Sequence, residues 1–243
     1  MGGGGDRNQE VLPDPPLLSA GAPAARVHGS TFPTPDHTYV MSARPSKIVC
    51  IGRNYADHAK ELGNAVPDKE PLFFLKPPSS LIGSGDAIIL PPQSAQVEHE
   101  GEIGVVIGKT LKNASEAECI AGISAIVAVN DVTARDLQRK DSQWTRAKGF
   151  DTFCAVGAPH AGPFDLGNIE VVTRVNGVEK QRGNSHQMAF SIPFCLSHIS
   201  HVMTLEPGDI VATGTPAGIS KLSTGDVVEV EVVGYSKLSN PVK

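Results

Sequence analysis

A chain of 243 residues, 40% hydrophobic and 19% charged, has the composition of a folded globular protein with room for a sizeable core. Its formal net charge of −5 and the lack of a basic run argue against a nucleic-acid partner, and no apolar stretch reaches the roughly 18 residues of a membrane span. Cys50, Cys119, Cys154 and Cys195 are scattered without a CxxC pair, so they read as buried reduced thiols, not as a disulfide or zinc framework.

Residues 1–45 are rich in Gly, Pro and Ala and lack sustained periodicity, which predicts a flexible leader with one short strand around Thr38–Met41. The opening MGGGGDRNQE carries acidic residues and no apolar core, unlike a secretory signal or a mitochondrial transit peptide. The expected compartment is the cytoplasm, or the mitochondrial matrix in a eukaryote. The ordered domain is expected over residues 46–243 and starts at KIVCIG, a buried strand. NYADHAKELG predicts a short helix capped by Asn54 and ended by Gly63. FFLKP and AIILP (Ala87–Pro91) read as strands stopped by proline. VEHEGEIGVVIG reads as one strand ended by Gly108, with Glu98, Glu100 and Glu102 on a single face.

Ser115 and Glu118 form a capping-box pattern, and AIVAVND is another buried strand closed by Asp131. TARDLQRKD begins a helix, and WTRAKGFDTF sets Lys148 on a loop into a strand. Asn176-Gly177 is a hairpin signal, and MAFSIPFCLSHISHVMTL is helical despite Pro193. EPGDIVATGTP and TGDVVEVEVVG are strands punctuated by glycine, with Gly214 and Gly218 read as turn requirements. Short strands outnumber helices without regular βα alternation. The predicted class is therefore α+β, predominantly β, with a rolled or barrel-like sheet.

Three glutamates on one strand face repel one another, and strands disfavour Glu. Either that face is solvated, or a cation sits among converging carboxylates. Glu100 and Glu102 on one strand could converge with Asp131 at the end of another. All-oxygen ligation favours Mg²⁺, Mn²⁺ or Ca²⁺ over zinc, and Mg²⁺ or Mn²⁺ leaves positions for water and a chelating substrate. Spacing alone leaves both readings open. His58 and Glu61 share a helix face at i, i+3, as a local ion pair or as a base oriented by a carboxylate. His99 alternates away from the glutamates. His198 and His201 lack a third ligand and, like Trp144, read as packing or surface residues. The TGTPAG glycines lack the Lys-Ser/Thr ending of a phosphate loop.

Six blocks in order, GRNYADHAKELG, FFLKPPSS, HEGEIGVVIG, NDVTARDLQ, WTRAKGFDTF and LEPGDIVATGTPAG, resemble the fumarylacetoacetate hydrolase family over about Pro45 to Val233. The resemblance is to its short members: acylpyruvate hydrolases, oxaloacetate decarboxylases or tautomerases, and bacterial isomerase/decarboxylase homologues. It implies a mixed β-sandwich roll, a homodimer, and Mg²⁺ or Mn²⁺ held by Glu100, Glu102 and Asp131. Glu98 falls one step outside the family pattern, either behind the ligands or on an exposed strand end. The resemblance further implies that His58 and Glu61 sit on a mobile lid and activate water, and that Lys148 supports a developing enolate. Arg53, Lys76, Gln138 and Thr215 match positions lining the family's substrate site. The implied substrate is a small 2-oxo acid. Acylpyruvate hydrolysis is the first expectation, oxaloacetate decarboxylation or keto–enol tautomerisation the next, and isomerisation or decarboxylation of 2-hydroxyhepta-2,4-diene-1,7-dioate the third. The alternative of another class is a metal-binding protein with this fold and no turnover.

Overall fold

The computed structural model describes Met1 and residues 44–243; the strand expected around Thr38–Met41 lies outside the described residues. The chain enters through β1 (Ile48–Gly52), followed by the short helix α1 (Ala56–Glu61), β2 (Leu72–Lys76) and β3 (Leu81–Gly83). Next come β4 (Val97–Glu98), β5 (Gly101–Ile107), α2 (Glu116–Gly122) and the long β6 (Ile123–Asp131). A two-residue β7 (Thr133–Ala134) leads into α3 (Arg135–Lys140), α4 (Thr145–Lys148) and β8 (Cys154–Val156). The hairpin β9 (Glu170–Val175) and β10 (Val178–Asn184), α5 (Ile192–Val202), β11 (Ile210–Ala212), β12 (Val227–Val232) and β13 (Ser236–Pro241) complete the fold.

Seven strands form a mixed sheet in the order β2-β1-β11-β5-β6-β8-β3, and four more form an antiparallel sheet in the order β10-β9-β12-β13. The result is the expected α+β, mostly-β roll. Period-2 alternation divides the large sheet's side chains between two cores. Val49, Ile51, Ile103, Val105, Ile107, Ile126 and Ala128 face inward, meeting Val171, Val230, Val232 and Leu238 of the second sheet and Ile192, Leu196 and Ile199 of α5. Ile48, Cys50, Val106, Val127, Val129 and Cys154 form a smaller apolar floor on the opposite face. Glu102 extends the β5 row that carries Val106, and Asp131 extends the β6 row of Val127 and Val129. Two acids therefore stand at the edge of an apolar floor, on adjacent strands.

Local chemistry accounts for several boundaries. Glu118 Oε2 accepts from the Ser115 N–H at 2.8 Å, and the Ser115 hydroxyl caps α2 in return. The Asn176-Gly177 turn has φ of 53° and 76°, the paired positive values that a two-residue hairpin requires. Pro193 falls in the first turn of α5, where no helical N–H partner is lost. All four cysteines are buried and free.

Four expectations are corrected. Asn54 does not cap α1, whose N-cap is Tyr55 without a side-chain bond. Instead, its amide donates to Phe190 O and Thr213 O and accepts from Phe190 N–H, tying three distant segments together. AIILP is not a strand: only Ile88 pairs, in a single bridge with Val242, and the strand lies earlier, at β3. The glutamate run is not one strand, because β4 pairs with β7 while β5 pairs with β6. At the break, Glu100 N–H donates to the Asn130 side chain at 3.0 Å. Lys148 ends the helix α4 and does not lie on a loop.

Candidate active site

Glu100, Glu102 and Asp131 are buried, and each offers an oxygen within 4.8 Å of the others. Gly101 lets the strand carry two of them past the second sheet, since a Cβ there would lie 1.9 Å from Thr173 Oγ1. Each acid has a distinct set of partners. Asp131 accepts from Lys76 Nζ at 2.5 Å and from Lys148 Nζ at 2.7 Å. Glu100 accepts from Lys148 Nζ at 2.6 Å and from an Arg135 terminal nitrogen. Glu102 accepts from the Gly214 N–H at 2.7 Å.

These environments separate the acids electrostatically. Burial works against the Glu100 charge, but Lys148 and Arg135 prevail and hold its carboxyl well below the usual range. Burial pushes the Glu102 carboxyl well up, and the neighbouring Asp131 and Glu100 charges add to the shift. Burial alone would lower Lys148; Asp131 and Glu100 outweigh it and keep the ammonium charged. Counting Glu98, four buried carboxylates face three buried cations, Lys76, Arg135 and Lys148. An excess of negative charge, an all-oxygen donor set and the repulsion felt by Glu102 fit a hard divalent cation.

Glu98, open between two positions on the sequence, lies behind the triad. It is buried, its Oε2 accepts from Arg135 Nε at 2.8 Å, and its Oε1 accepts from Gln96 Nε2 at 2.6 Å. Arg135 thus joins Glu98 to Glu100 and also donates to Gln138.

A cavity of about 310 Å³ opens over the triad. His58, Glu61 and Lys148 line it, as do Arg53, Gln138 and Thr215. Glu61 Oε2 lies 3.2 Å from His58 Nδ1, so the i, i+3 pair is formed. Arg53, at a positive φ of 59°, extends over the Trp144 ring at 5.8 Å, and Phe74 packs edge-on against the same indole. Trp144 is therefore both a packing residue and part of the cavity wall. Lys76 is the exception among the expected lining residues. Its register opposite Ile48 sends it to the apolar floor, where its buried ammonium supports Asp131 from behind. Thr215 reaches the cavity with its hydroxyl already engaged, donating to Gly101 O at 2.9 Å and accepting from Gln181 Nε2 at 2.7 Å.

Sequence reasoning did not single out Arg135, Asn130 or Gln181. Arg135 had a signal in its i, i+3 spacing to Gln138, and Asn130 in its place beside Asp131. Gln181 had none, since its contact with Gly101 spans 80 residues. His99 is fully buried between Gln181 and Ser220, away from the triad, as its alternation implied.

A rolled mixed sheet with a buried Glu-Glu-Asp cluster beside a His–Glu pair and a buried lysine defines a class of acid-lined enzyme site. Residues 47–243 match the model for the fumarylacetoacetate (FAA) hydrolase C-terminal domain, and the chain belongs to that family. Among its relatives, the mitochondrial oxaloacetate decarboxylase of Dictyostelium discoideum is 43% identical over 195 residues, covering 77% of this chain and 89% of the relative. The mitochondrial oxaloacetate tautomerase of Arabidopsis thaliana is 40% identical over 209 residues, covering 84% and 93%. The crystal structure of 2-hydroxyhepta-2,4-diene-1,7-dioate isomerase from Mycobacterium marinum is similar with a TM-score of 0.75 at 41% identity, covering 82% of this chain and 75% of that one. Among the described residues, no helix is long and apolar enough to cross a membrane.

Proposed function

We propose that the protein is a Mg²⁺- or Mn²⁺-dependent enzyme of small 2-oxo acids that enolise at C3, acting first on acylpyruvates by hydrolysis of the C3–C4 bond and also on oxaloacetate by decarboxylation. The observation that carries this reading is one cavity in which the His58–Glu61 pair and Lys148 meet three buried carboxylates. Glu100, Glu102 and Asp131 would hold the cation, which supplies Lewis-acid polarisation of a 2-oxo acid when bound.

The chain's own groups do the rest. Lys148 keeps an ammonium at the edge of the triad, where it stabilises negative charge developing on the substrate. Arg53, held over Trp144, adds positive charge to the wall and attracts an anionic substrate. Glu61 accepts from the Nδ1 side of His58, which leaves Nε2 as the basic nitrogen. That nitrogen takes a proton from water as the oxygen attacks an acyl C4, and returns it to C3 after the bond breaks. When C4 is a carboxylate, loss of CO₂ needs no attacking water. The same pair then only delivers a proton to C3.

A second reading, keto–enol tautomerisation or isomerisation without bond cleavage, draws on the relatives named for those reactions. It uses the same proton transfer at C3. The proposal includes a homodimer, tested by light scattering coupled to gel filtration.

The deciding experiment incubates purified protein with Mg²⁺ or Mn²⁺ and acetylpyruvate, oxaloacetate or hydroxyheptadienedioate, following cleavage, CO₂ release and enol decay in parallel. We expect metal-dependent turnover that Glu100→Ala abolishes for every substrate. His58→Ala should suppress hydrolysis more than enolisation. Full turnover by Glu100→Ala in chelator-treated buffer overturns the metal reading. Metal binding with no turnover of any of the three acids returns the protein to a binding role.

A further inference from the structure

Gln181 on β10 is fully buried and is not a wall of the cavity, yet its side chain uses every hydrogen-bonding position it has. A register shift between Glu179 and Gln181 disturbs the β9–β10 ladder just before it, a local irregularity that re-aims a side chain. Its Oε1 accepts from the Gly101 N–H at 3.0 Å and from His99 Nδ1 at 3.0 Å. Its Nε2 donates to Thr215 Oγ1 at 2.7 Å and to Pro216 O at 2.7 Å. A backbone N–H only donates and a carbonyl only accepts, so the amide has one permitted orientation. The same logic places the His99 proton on Nδ1 and makes Nε2 the acceptor for the Ser220 hydroxyl at 2.9 Å.

The four bonds connect two parts of the site. Gly101 is the residue between Glu100 and Glu102. Thr215 and Pro216 belong to the Gly214–Gly218 loop, whose two end amides point at different acids. Gly214 N–H donates to Glu102, and Gly218 N–H is shared between both oxygens of Glu61 at 3.2 and 3.3 Å. Both glycines adopt positive φ, 102° and 103°, so this aim depends on backbone that other residues rarely adopt. One loop therefore holds a triad carboxylate at one end and the carboxylate that orients His58 at the other. Gln181 ties its middle to the triad strand.

We infer that Gln181 is a positioning residue that sets His58 and Glu61 relative to the Glu100–Glu102 strand through the Gly214–Gly218 loop. The inference rests on the function proposed above for its catalytic consequence. Its structural consequence stands apart from that function. Losing the Gln181 amide leaves the loop tied to the triad strand only at its start, through Gly214 N–H and the Thr215 hydroxyl, which loosens the Gly218 contact with Glu61 and misplaces the water-activating pair. The acids that hold the cation keep their own partners, Lys148, Arg135, Lys76 and Gly214.

The test is Gln181→Met in the full chain, with acetylpyruvate as substrate and Mn²⁺ as metal probe. Hydrolytic kcat should fall about 10- to 100-fold, the range seen when partners behind a site are removed. KM and Mn²⁺ affinity should stay within roughly threefold, the split expected when ground-state binding is spared, and C3 deuterium exchange should fall less than cleavage does. In the metal-free protein, amide hydrogen exchange should quicken about tenfold at residues 214–218 and 56–61 while β12 is unchanged. Unchanged protection at residues 56–61, or equal loss of C3 exchange and cleavage, overturns the inference. If wild-type protein neither cleaves nor exchanges acetylpyruvate, the proposed function fails and amide exchange alone decides the positioning role. Should Gln181→Met not fold, Ser220→Ala removes one partly exposed hydroxyl from the same chain of bonds. It should lower the ratio of cleavage to C3 exchange two- to fivefold, roughly the effect of one neutral hydrogen bond, and an unchanged ratio overturns the inference.

Discussion

Replacing Glu98 by glutamine tests the electrostatic layout of the site without touching a proposed ligand. The substitution keeps the shape and removes one of the four buried carboxylates at the site. In the native protein Arg135 divides its charge between Glu98, through Nε at 2.8 Å, and Glu100. With Glu98 neutral, the guanidinium is balanced by Glu100 alone and competes more strongly with a cation for that carboxylate. The lost charge-assisted bond is worth about 1.5–3 kcal/mol of stability, and the Gln96 donor to Glu98 Oε1 loses an anionic acceptor as well. Metal affinity should fall roughly 10- to 100-fold, as for other partners behind metal ligands. Urea denaturation in chelator-treated buffer measures the first quantity, and calorimetric titration with Mn²⁺ measures the second. An exposed strand-end charge would change stability by no more than about 0.5 kcal/mol. That result, together with unchanged Mn²⁺ affinity, refutes the reasoning.

Two further substitutions probe other parts of the structure. Asp209 is fully buried and accepts from Lys47 Nζ at 2.6 Å, the Ser46 hydroxyl at 2.7 Å and the Glu206 N–H at 2.8 Å. Burial opposes its charge, but these bonds prevail and lower its carboxyl. Its stabilisation is therefore present above the unfolded value of about 3.9 and is lost as pH falls through the lower folded value. Asp209→Asn should cost about 1.5–3 kcal/mol at pH 7, with the gap to wild type closing below about pH 4; a gap independent of pH in urea melts would contradict this. Gly218→Ala places a Cβ 2.0 Å from Lys180 O at a φ of 103°, so the backbone that donates to Glu61 must shift. Hydrolysis should fall about tenfold or more with Mn²⁺ affinity preserved, and wild-type hydrolytic kcat in a folded variant would show the loop contact to be idle.

Strands, helix caps and the main chemical groups follow from local residue pattern. β1, β2, β5, β6 and the β9–β10 hairpin lie where apolar runs and turn residues put them, and Ser115 and Glu118 cap α2 as their spacing demands. The His58–Glu61 pair needs only one helical turn, so i, i+3 spacing suffices to bring it together. Asn54 went the other way: a side chain suited to capping found better-buried partners at Phe190 and Thr213, and distant packing overrode the local preference.

Alternation alone put three glutamates on one face, a pattern that suits a solvated surface more readily than a cation site. Only the folded chain separates them, because their charges depend on groups far away in sequence. Lys148 and Arg135 hold Glu100, the Gly214 amide holds Glu102, and Arg135 with Gln96 holds Glu98. Lys76 shows the same limit, since strand register alone decides that it supports Asp131 from beneath and does not line the cavity. The sequence by itself determined which ionisable groups the protein possesses and which strands carry them. Tertiary structure decided which charges are buried together, and burial is what turns a pattern of acids into a site, because charge interactions strengthen as water is excluded.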